Sequence, residues 1–241
     1  VLSMGFAGGP AILSLVGTHG WAPYLAGAAF FAIAAIPVMI GASGAPAIEK
    51  ESSRGVWSLM RIAPAATLAA FVFGAVETGL INFLPLYGLR RGLEENQAAI
   101  LLTVAELGNV GLQLPLGLLS DRLDRRRMLL ACGAIGVAGA FLIPYLAIDS
   151  WSMWIVVFLT TGITAGLYTV GLALLGARFD GAALATANAA FVMLYSIGLI
   201  VGPTAVGGGM QMFDPDGFAW TIGAFLLVYV LVVAGQIRRE R

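Results

Sequence analysis

Long apolar stretches separated by short polar connections run through the whole chain. A membrane-spanning helix needs about 20 consecutive apolar residues, and the 241-residue sequence is divided into stretches of roughly that length. We expect eight spanning helices, at residues 1–17, 21–41, 63–87, 98–118, 128–147, 151–176, 183–207 and 217–236. The pattern predicts an all-α, polytopic membrane protein.

Polar residues are concentrated in four of these stretches, whereas the second, fifth and eighth are almost wholly apolar. Glu106, Asn109 and Gln113 follow one another at helical spacing, so they share one helix face. We expect the apolar helices to face lipid and the others to line a shared polar cavity. Polar side chains that only join helices are the alternative for any single helix. The predicted cavity residues are Glu77, Asn82, Glu106, Asn109, Gln113, Thr164, Tyr168, Asn188 and Tyr195.

Basic residues fall mostly on one side of this helix pattern. Of the thirteen lysines and arginines, only Arg90 and Arg91 lie in a connection on the other side. Because basic connections stay in the cytoplasm, both ends of the chain are expected there. The predicted location is a membrane that the chain crosses several times, with the basic connections on its cytoplasmic face.

Composition excludes several other classes of protein. With 59% hydrophobic and 11% charged residues and a mean hydropathy of +0.92, the chain has too little polar surface for a water-soluble globule. Its net charge of zero gives no reason to expect nucleic acid. Gly41-Ala42-Ser43-Gly44 resembles an intramembrane serine protease motif, but no histidine accompanies it at that depth. We expect no enzyme activity, no cofactor and no metal site.

Two carboxylates lie inside the apolar stretches. Glu77 is about ten residues from the outer end of its span and Glu106 about eight, so the two sit at similar depth on antiparallel neighbours. An ionised carboxylate is costly there, and a carboxylate that gains and loses a proton is what proton coupling requires. Binding of a cationic substrate, or pairing with a basic residue elsewhere in the protein, remains open.

An internal repeat suggests two halves. The Gly9-Pro10 element of the first span recurs as Gly202-Pro203 in the seventh, about 193 residues later and in the same orientation. Parallel repeats of this kind are typical of two-half carriers. A six-helix repeat makes these spans helices five to twelve of twelve, and we expect the chain to be a C-terminal fragment. The predicted parts are two helices of the first half (1–41), an inter-half linker (42–62) and the second half (63–241).

The segment Gly117–Arg127, here called the hinge, joins two apolar spans. It resembles the loop signature of the major facilitator superfamily, commonly Gly-x-Leu-x-Asp-Arg-x-Gly-Arg-Arg, which lies between helices two and three and again between helices eight and nine; the helix count above places it at the second of these. Gly9-Pro10 is similar to the helix-five signature of proton-coupled antiporters in that family. With Leu84-Pro85-Leu86-Tyr87 and Gly166-Leu167-Tyr168, the chain resembles the small bacterial carriers of the YcaD-like group. Asp124 stands where the family usually has glycine, which puts the usual backbone conformation of this turn in doubt.

The resemblance implies a monomeric secondary carrier that moves a small solute by alternating access, surrounded by membrane lipids and coupled to protons. Export of drugs or metabolites is the first expectation and uptake of sugars or organic acids the second. A receptor or scaffold that uses the same fold without transport is a further alternative.

The hinge has a predicted gating role in such a fold. Asp121 is expected to dock against a helix N-terminus near Val1–Met4, where the helix dipole favours a negative charge. With Gly117, the arginines of the hinge would strengthen a closed cytoplasmic gate by pairing with acids or lipid phosphates. These arginines are Arg122, Arg125 and Arg126. Alternatively, they only fix the orientation of the chain.

Overall fold

The computed structural model describes residues 20–41 and 63–239. Contacts divide the chain into two units, Val1–Glu49 and Lys50–Arg241. The expected span at 1–17, including Gly9 and Pro10, and the expected linker at 42–62 lie outside the described residues.

The first unit contains one described helix, α1 (Ala22–Gly41), at the position expected for the second span. Its large side chains are exposed, with Phe31 81% accessible. Its apolar part, Ala22–Pro37, is shorter than each of the six helices of the described residues that are long and apolar enough to cross a membrane.

The described part of the second unit is built from helices alone, which confirms the all-α prediction there. Six stretches are long and apolar enough to cross a membrane. Together with α1 they account for seven of the eight expected spans, and the count of eight is not reached because 1–17 is outside the described residues. The helices are α2 (Pro64–Arg90), α3 (Glu95–Ser120), α4 (Arg125–Leu142), α5 (Trp151–Thr164), α6 (Gly166–Gly176), α7 (Gly181–Met212) and α8 (Gly217–Arg239).

The helices begin where the sequence satisfies their free N–H groups. Proline occupies the first turn of α2, where it removes no hydrogen bond. A reciprocal capping box between Glu94 and Gln97 starts α3, and the side chain of Ser150 accepts a hydrogen bond from Met153 N at the start of α5.

One expected helix is divided. The stretch predicted as continuous over 151–176 forms α5 and α6, which meet at Ala165. The hydroxyl of Thr164 donates to Thr160 O at 2.8 Å, and side-chain bonds of this type compete with the backbone ladder and bend helices. Gly166 then lies against Cys132, at a position where a Cβ would come within 2.7 Å of its sulfur.

Helices α2 and α7 pack with their backbones almost in contact. A Cβ on Gly198 would overlap Phe71 O, and one on Gly202 would overlap Ala75 O. On the other side of the contact, Gly74 lies against the carbonyl of Tyr195. Small residues allow this approach, so within this unit the Gly202-Pro203 element serves helix packing.

Three connections meet at one end of the second unit, around Arg91. Its guanidinium donates to Leu146 O at 3.0 Å and to Pro144 O at 3.1 Å, and it pairs with Asp216 at 3.3 Å. The α2–α3, α4–α5 and α7–α8 connections are therefore joined by one side chain. We call this group the Arg91 clamp, which consists of Tyr87, Arg90, Arg91, Asp214 and Asp216, together with the carbonyls of Pro144 and Leu146.

Candidate functional site

Glu77 and Glu106 lie near the middle of α2 and α3 and line the same small space. Asn109 of α3 and two threonines of α5, Thr161 and Thr164, complete its polar lining. The space measures about 10 Å³, close to the smallest volume that holds one water molecule. The fold thus brings together four of the nine predicted cavity residues around one small space in the middle of the spans.

Glu77 is held from the α7 side. The hydroxyl of Tyr195 donates a hydrogen bond to the Glu77 carboxylate. The Tyr195 ring stacks on Phe73 at 6.1 Å and meets Tyr168 edge to face at 5.3 Å between ring centres. These rings restrict the rotamers of Tyr195, because a buried aromatic ring has few positions that avoid its neighbours.

A second polar chain reaches the carboxylates along α3. The side-chain amide of Asn109 interacts with both Glu77 and Glu106. Its oxygen accepts a hydrogen bond from the Gln113 amide at 3.1 Å. Gln113 therefore belongs to the site through Asn109, one helical turn away from the carboxylates.

The threonines of α5 serve mainly to join helices. Thr161 Oγ1 lies 2.8 Å from Ala105 O of α3, and the Thr164 hydroxyl is bonded within its own helix. Gly108 of α3 lies so close to Phe158 O of α5 that a Cβ would overlap it. The α3–α5 contact fixes the position of Glu106 relative to the rest of the unit.

Two predicted cavity residues lie away from this space. Asn82 is exposed and donates to Thr78 O of its own helix at 2.7 Å. Asn188 is half-buried, two helical turns before Tyr195, and does not line the space with the carboxylates. Asn82 is five residues from Glu77 and so lies on another face of α2. Asn188 shares the face of Tyr195, seven residues later, but lies two turns away from it along α7.

The carboxylates have no basic neighbour in the described part of the chain. Within α2 and α3 the basic residues are confined to the Arg90 end of α2. The charged or titratable side chains that interact with Glu77 are those of Glu106, Tyr168 and Tyr195. Across residues 20–41 and 63–239, no group of three or more histidine, cysteine or acidic side chains could hold a metal ion.

The hinge is a tight turn with local contacts. Asp124 accepts a hydrogen bond from Arg127 N at 2.8 Å and caps α4, with φ at −62°. The turn has no left-handed residue at this position, so aspartate fits where the resembling family has glycine. This removes the doubt that Asp124 raised about the turn.

The remaining hinge residues are placed as follows. Asp121 is exposed and pairs with Arg125 one turn later, at 3.5 Å. Arg122 is exposed and Arg126 half-buried, and a side chain on Gly117 would make only ordinary contact with Thr169. The expected docking partner of Asp121, Val1–Met4, lies outside the described residues.

Sequence reasoning missed two features of the molecule. Phe73 contacts both tyrosines of the site but looks like an ordinary apolar helix residue. From the sequence, Arg90 and Arg91 were used only to orient the chain, and their contacts with the other connections were not predicted. The signal for the Arg91 clamp was present, since Arg90 and Arg91 lie opposite Asp214 and Asp216 in connections expected on the same side.

Comparison with known proteins agrees with this architecture. The profile of the Major Facilitator Superfamily matches residues 67–241. An uncharacterized MFS-type transporter of Bacillus subtilis (strain 168), YfkF, is 28% identical over 97% of this chain and 61% of its own length. A second uncharacterized MFS-type transporter, Ent638_1421 of Enterobacter sp. (strain 638), is 22% identical over 77% of this chain and 48% of its own length.

The chain thus spans about three fifths and one half of these two relatives. No solved structure matches it. The matched profile covers all six candidate spans of the second unit and the hinge between α3 and α4. This is a multi-pass membrane protein, and the chain belongs to the Major Facilitator Superfamily.

Proposed function

We propose that the protein is a proton-coupled secondary carrier that moves a small solute by alternating access. Glu77 and Glu106 exchange the coupling proton. One observation carries this proposal: the two carboxylates line one small space in the middle of membrane spans, without a basic neighbour in the described residues. The aromatic and amide groups around them supply a fixed polar frame.

The physical argument concerns the cost of charge. An ionised carboxylate in the apolar slab is stable only while water or a bound cation reaches it. When the site is open to one side, water enters and the proton leaves; when the site closes, the charge becomes costly and the carboxylates retain a proton. Protonation of the carboxylates is thereby linked to whether the site is open to one side of the membrane, which is the requirement for coupling.

The proposal also covers the direction of transport, the class of solute, and the arrangement of the protein in its membrane. We propose export of drugs or metabolites, because Gly9-Pro10 is similar to the antiporter signature. Uptake of sugars or organic acids is the alternative. The proposed arrangement has two six-helix halves of a YcaD-like carrier, with these spans as helices five to twelve, working as a monomer in the bacterial inner membrane with both ends of the chain in the cytoplasm.

The proposed gate lies at the hinge. Asp121 docks against a helix N-terminus of the other half when the cytoplasmic side is closed, with Arg122, Arg125 and Arg126 adding contacts to acids or lipid phosphates. Its exposed carboxylate supports this role, since it is accessible to a partner outside the second unit.

The test uses full-length protein in proteoliposomes. A thermal-shift screen with ethidium, glucose and lactate as starting members of the three solute classes identifies a binding solute. Its flux is then measured with and without a pH gradient. We expect the gradient to drive flux in the wild type and to lose its effect in Glu77→Gln and Glu106→Gln.

The matched control is Thr103→Val, which removes an exposed hydroxyl that bonds to Ala99 O on the same helix. We expect its flux and its response to the gradient to be unchanged. Wild-type flux that ignores the gradient would contradict the coupling. Binding without flux above that of empty liposomes would support the receptor alternative instead.

A further inference from the structure

Asn109 is placed between two carboxylates that need donors, and its amide can point either way. A carboxylate only accepts hydrogen bonds, whereas an asparagine amide has an N–H₂ end that donates and an oxygen that accepts. Turned by half a rotation, Asn109 would present its oxygen to Glu77 and Glu106. That orientation would place three acceptors together without a donor, so something must select the other one.

Gln113 selects the orientation of the Asn109 side-chain amide. Its amide nitrogen donates to the Asn109 oxygen at 3.1 Å, from one turn further along α3. With its oxygen occupied on that side, the N–H₂ end of Asn109 is left to face the carboxylates. Gln113 makes no contact with the space that holds the carboxylates, so its influence on them passes through Asn109.

We propose that Gln113 is a positioning residue, which holds the Asn109 amide with its N–H groups toward Glu77 and Glu106. Tyr195 donates to Glu77 from the opposite side. Glu77 is thus met by donors from α7 and α3, and Glu106 by the α3 donor. The α3 donor depends on a second residue, Gln113, for its orientation. The inference rests on the proposed function in taking Glu77 and Glu106 as the groups that exchange protons.

Other titratable groups that face Glu77 and Glu106 could also change the pH at which these carboxylates are protonated. In the described residues these are Tyr195 of α7 and Tyr168 of α6, while the α5 side contributes the neutral Thr161 and Thr164. Loss of the oriented amide removes a donor to the ionised pair, so the protonated form persists to higher pH. Loss of one hydrogen bond to a charged group moves the midpoint of that group's titration by about one pH unit.

The test needs no transported solute. The carboxylic C=O infrared band of full-length protein in lipid is titrated with pH, and the part that disappears in Glu77→Gln and Glu106→Gln is assigned to the pair. We expect Gln113→Leu to move the midpoint of this band upward by about one pH unit. Thr103→Val, on the same helix, should leave the midpoint unchanged.

A double variant separates positioning from a general structural effect. Because Gln113 acts through Asn109, Gln113→Leu should add no further shift to Asn109→Leu, whereas two independent structural effects would add. Gln113→Met, which also lacks a donor but keeps a flexible side chain, should reproduce the shift if the leucine variant is unstable. The unfolding temperature of each variant is measured alongside.

The outcomes are distinct for the two proposals. An unchanged midpoint in both Gln113 variants, or an additive shift in the double variant, would overturn the positioning role while leaving proton coupling in place. Flux that ignores a pH gradient, together with the predicted infrared shifts, would overturn the coupling and support the positioning role.

Discussion

The two ends of the second unit, which contains the six candidate spans, are held by side-chain bonds of very different range. At the Arg91 clamp, bonds join residues 53 and 125 positions apart in the sequence. At the hinge, the bonds of Asp121 and Asp124 join residues four and three positions apart. Long-range bonds restrict the helices relative to one another, whereas local bonds shape only the end of a single helix.

This difference shows how the same residue types serve two purposes. Arg91 and Asp216 are both about a quarter to a third exposed and are bonded to other connections. The side chain of Asp121 is 68% exposed. Both arrangements fit the proposed carrier, in which one end of a moving body would be tied together and charges at its other end would be available to a partner.

The largest effect is expected for Arg91→Ala. The substitution leaves Asp216 and two backbone carbonyls without their shared donor, so we expect the free energy of unfolding to fall by about 2 kcal/mol. Amide hydrogen exchange should rise in peptides from both the α4–α5 and the α7–α8 connections. Unchanged exchange in these connections would show that the clamp does not tie them.

Arg90→Ala is the matched comparison, at the more exposed ion pair of the same clamp. Arg90 pairs with Asp214, and both side chains are more exposed than those of the Arg91–Asp216 pair. An exposed pair contributes about 0.5 kcal/mol or less. We expect near wild-type denaturation and a normal exchange rate in the α4–α5 connection, which Arg90 does not contact.

Next in size is Asp124→Ala at the hinge. The variant loses the side-chain cap of α4, which corresponds to about 1 kcal/mol of the free energy of unfolding. The increase in amide exchange should stay within the first turn of α4, because the bond is local. Asp124→Asn, which keeps a capping oxygen, should recover most of the lost free energy of unfolding. A rise in amide exchange that spreads to other connections would contradict the difference between local bonds at the hinge and long-range bonds at the clamp.

The smallest effect on stability is expected for Asp121→Asn. Its pair with Arg125 is exposed, so the free energy of unfolding should change by less than about 0.5 kcal/mol. The conformational equilibrium should nevertheless shift away from the outward-open state if Asp121 holds the cytoplasmic gate. Labelling of the exposed positions Leu118→Cys at the hinge and Leu89→Cys at the clamp reports this equilibrium.

In that labelling experiment, we expect more modification at Leu118→Cys and less at Leu89→Cys once Asp121 is replaced. The native thiol, Cys132, is buried and adds little background. An identical labelling ratio with and without the Asp121 substitution would refute the gating role.

Helix positions and the polar face of α3 could be predicted from the sequence because they depend on local spacing. Glu106 and Asn109 are three residues apart, which places them on one face whatever surrounds the helix. The pairing of Glu77 with Glu106 also followed, because two antiparallel neighbours bring equal depths together. The structure places both in one space.

What could not be predicted depends on contacts between distant parts of the chain. Asn82 and Asn188 belong to polar helices, but the rotation of α2 decides which of its faces meets the site, and the position of α7 along its own axis decides which of its residues lie at the depth of Glu77. The division of 151–176 at Ala165 depends on the hydroxyl of Thr164 and on packing against Cys132, neither of which a hydropathy pattern contains. The clamp joins residues more than a hundred positions apart.

The glycine contact between α2 and α7 has a consequence for how this protein can diversify. Gly74 touches the backbone of Tyr195, whose hydroxyl reaches Glu77 one turn further along α2. A methyl group added at Gly74, Gly198 or Gly202 would push the helices apart and lengthen the reach from tyrosine to carboxylate. Substitutions at these three positions are therefore tolerated only when both helices change together.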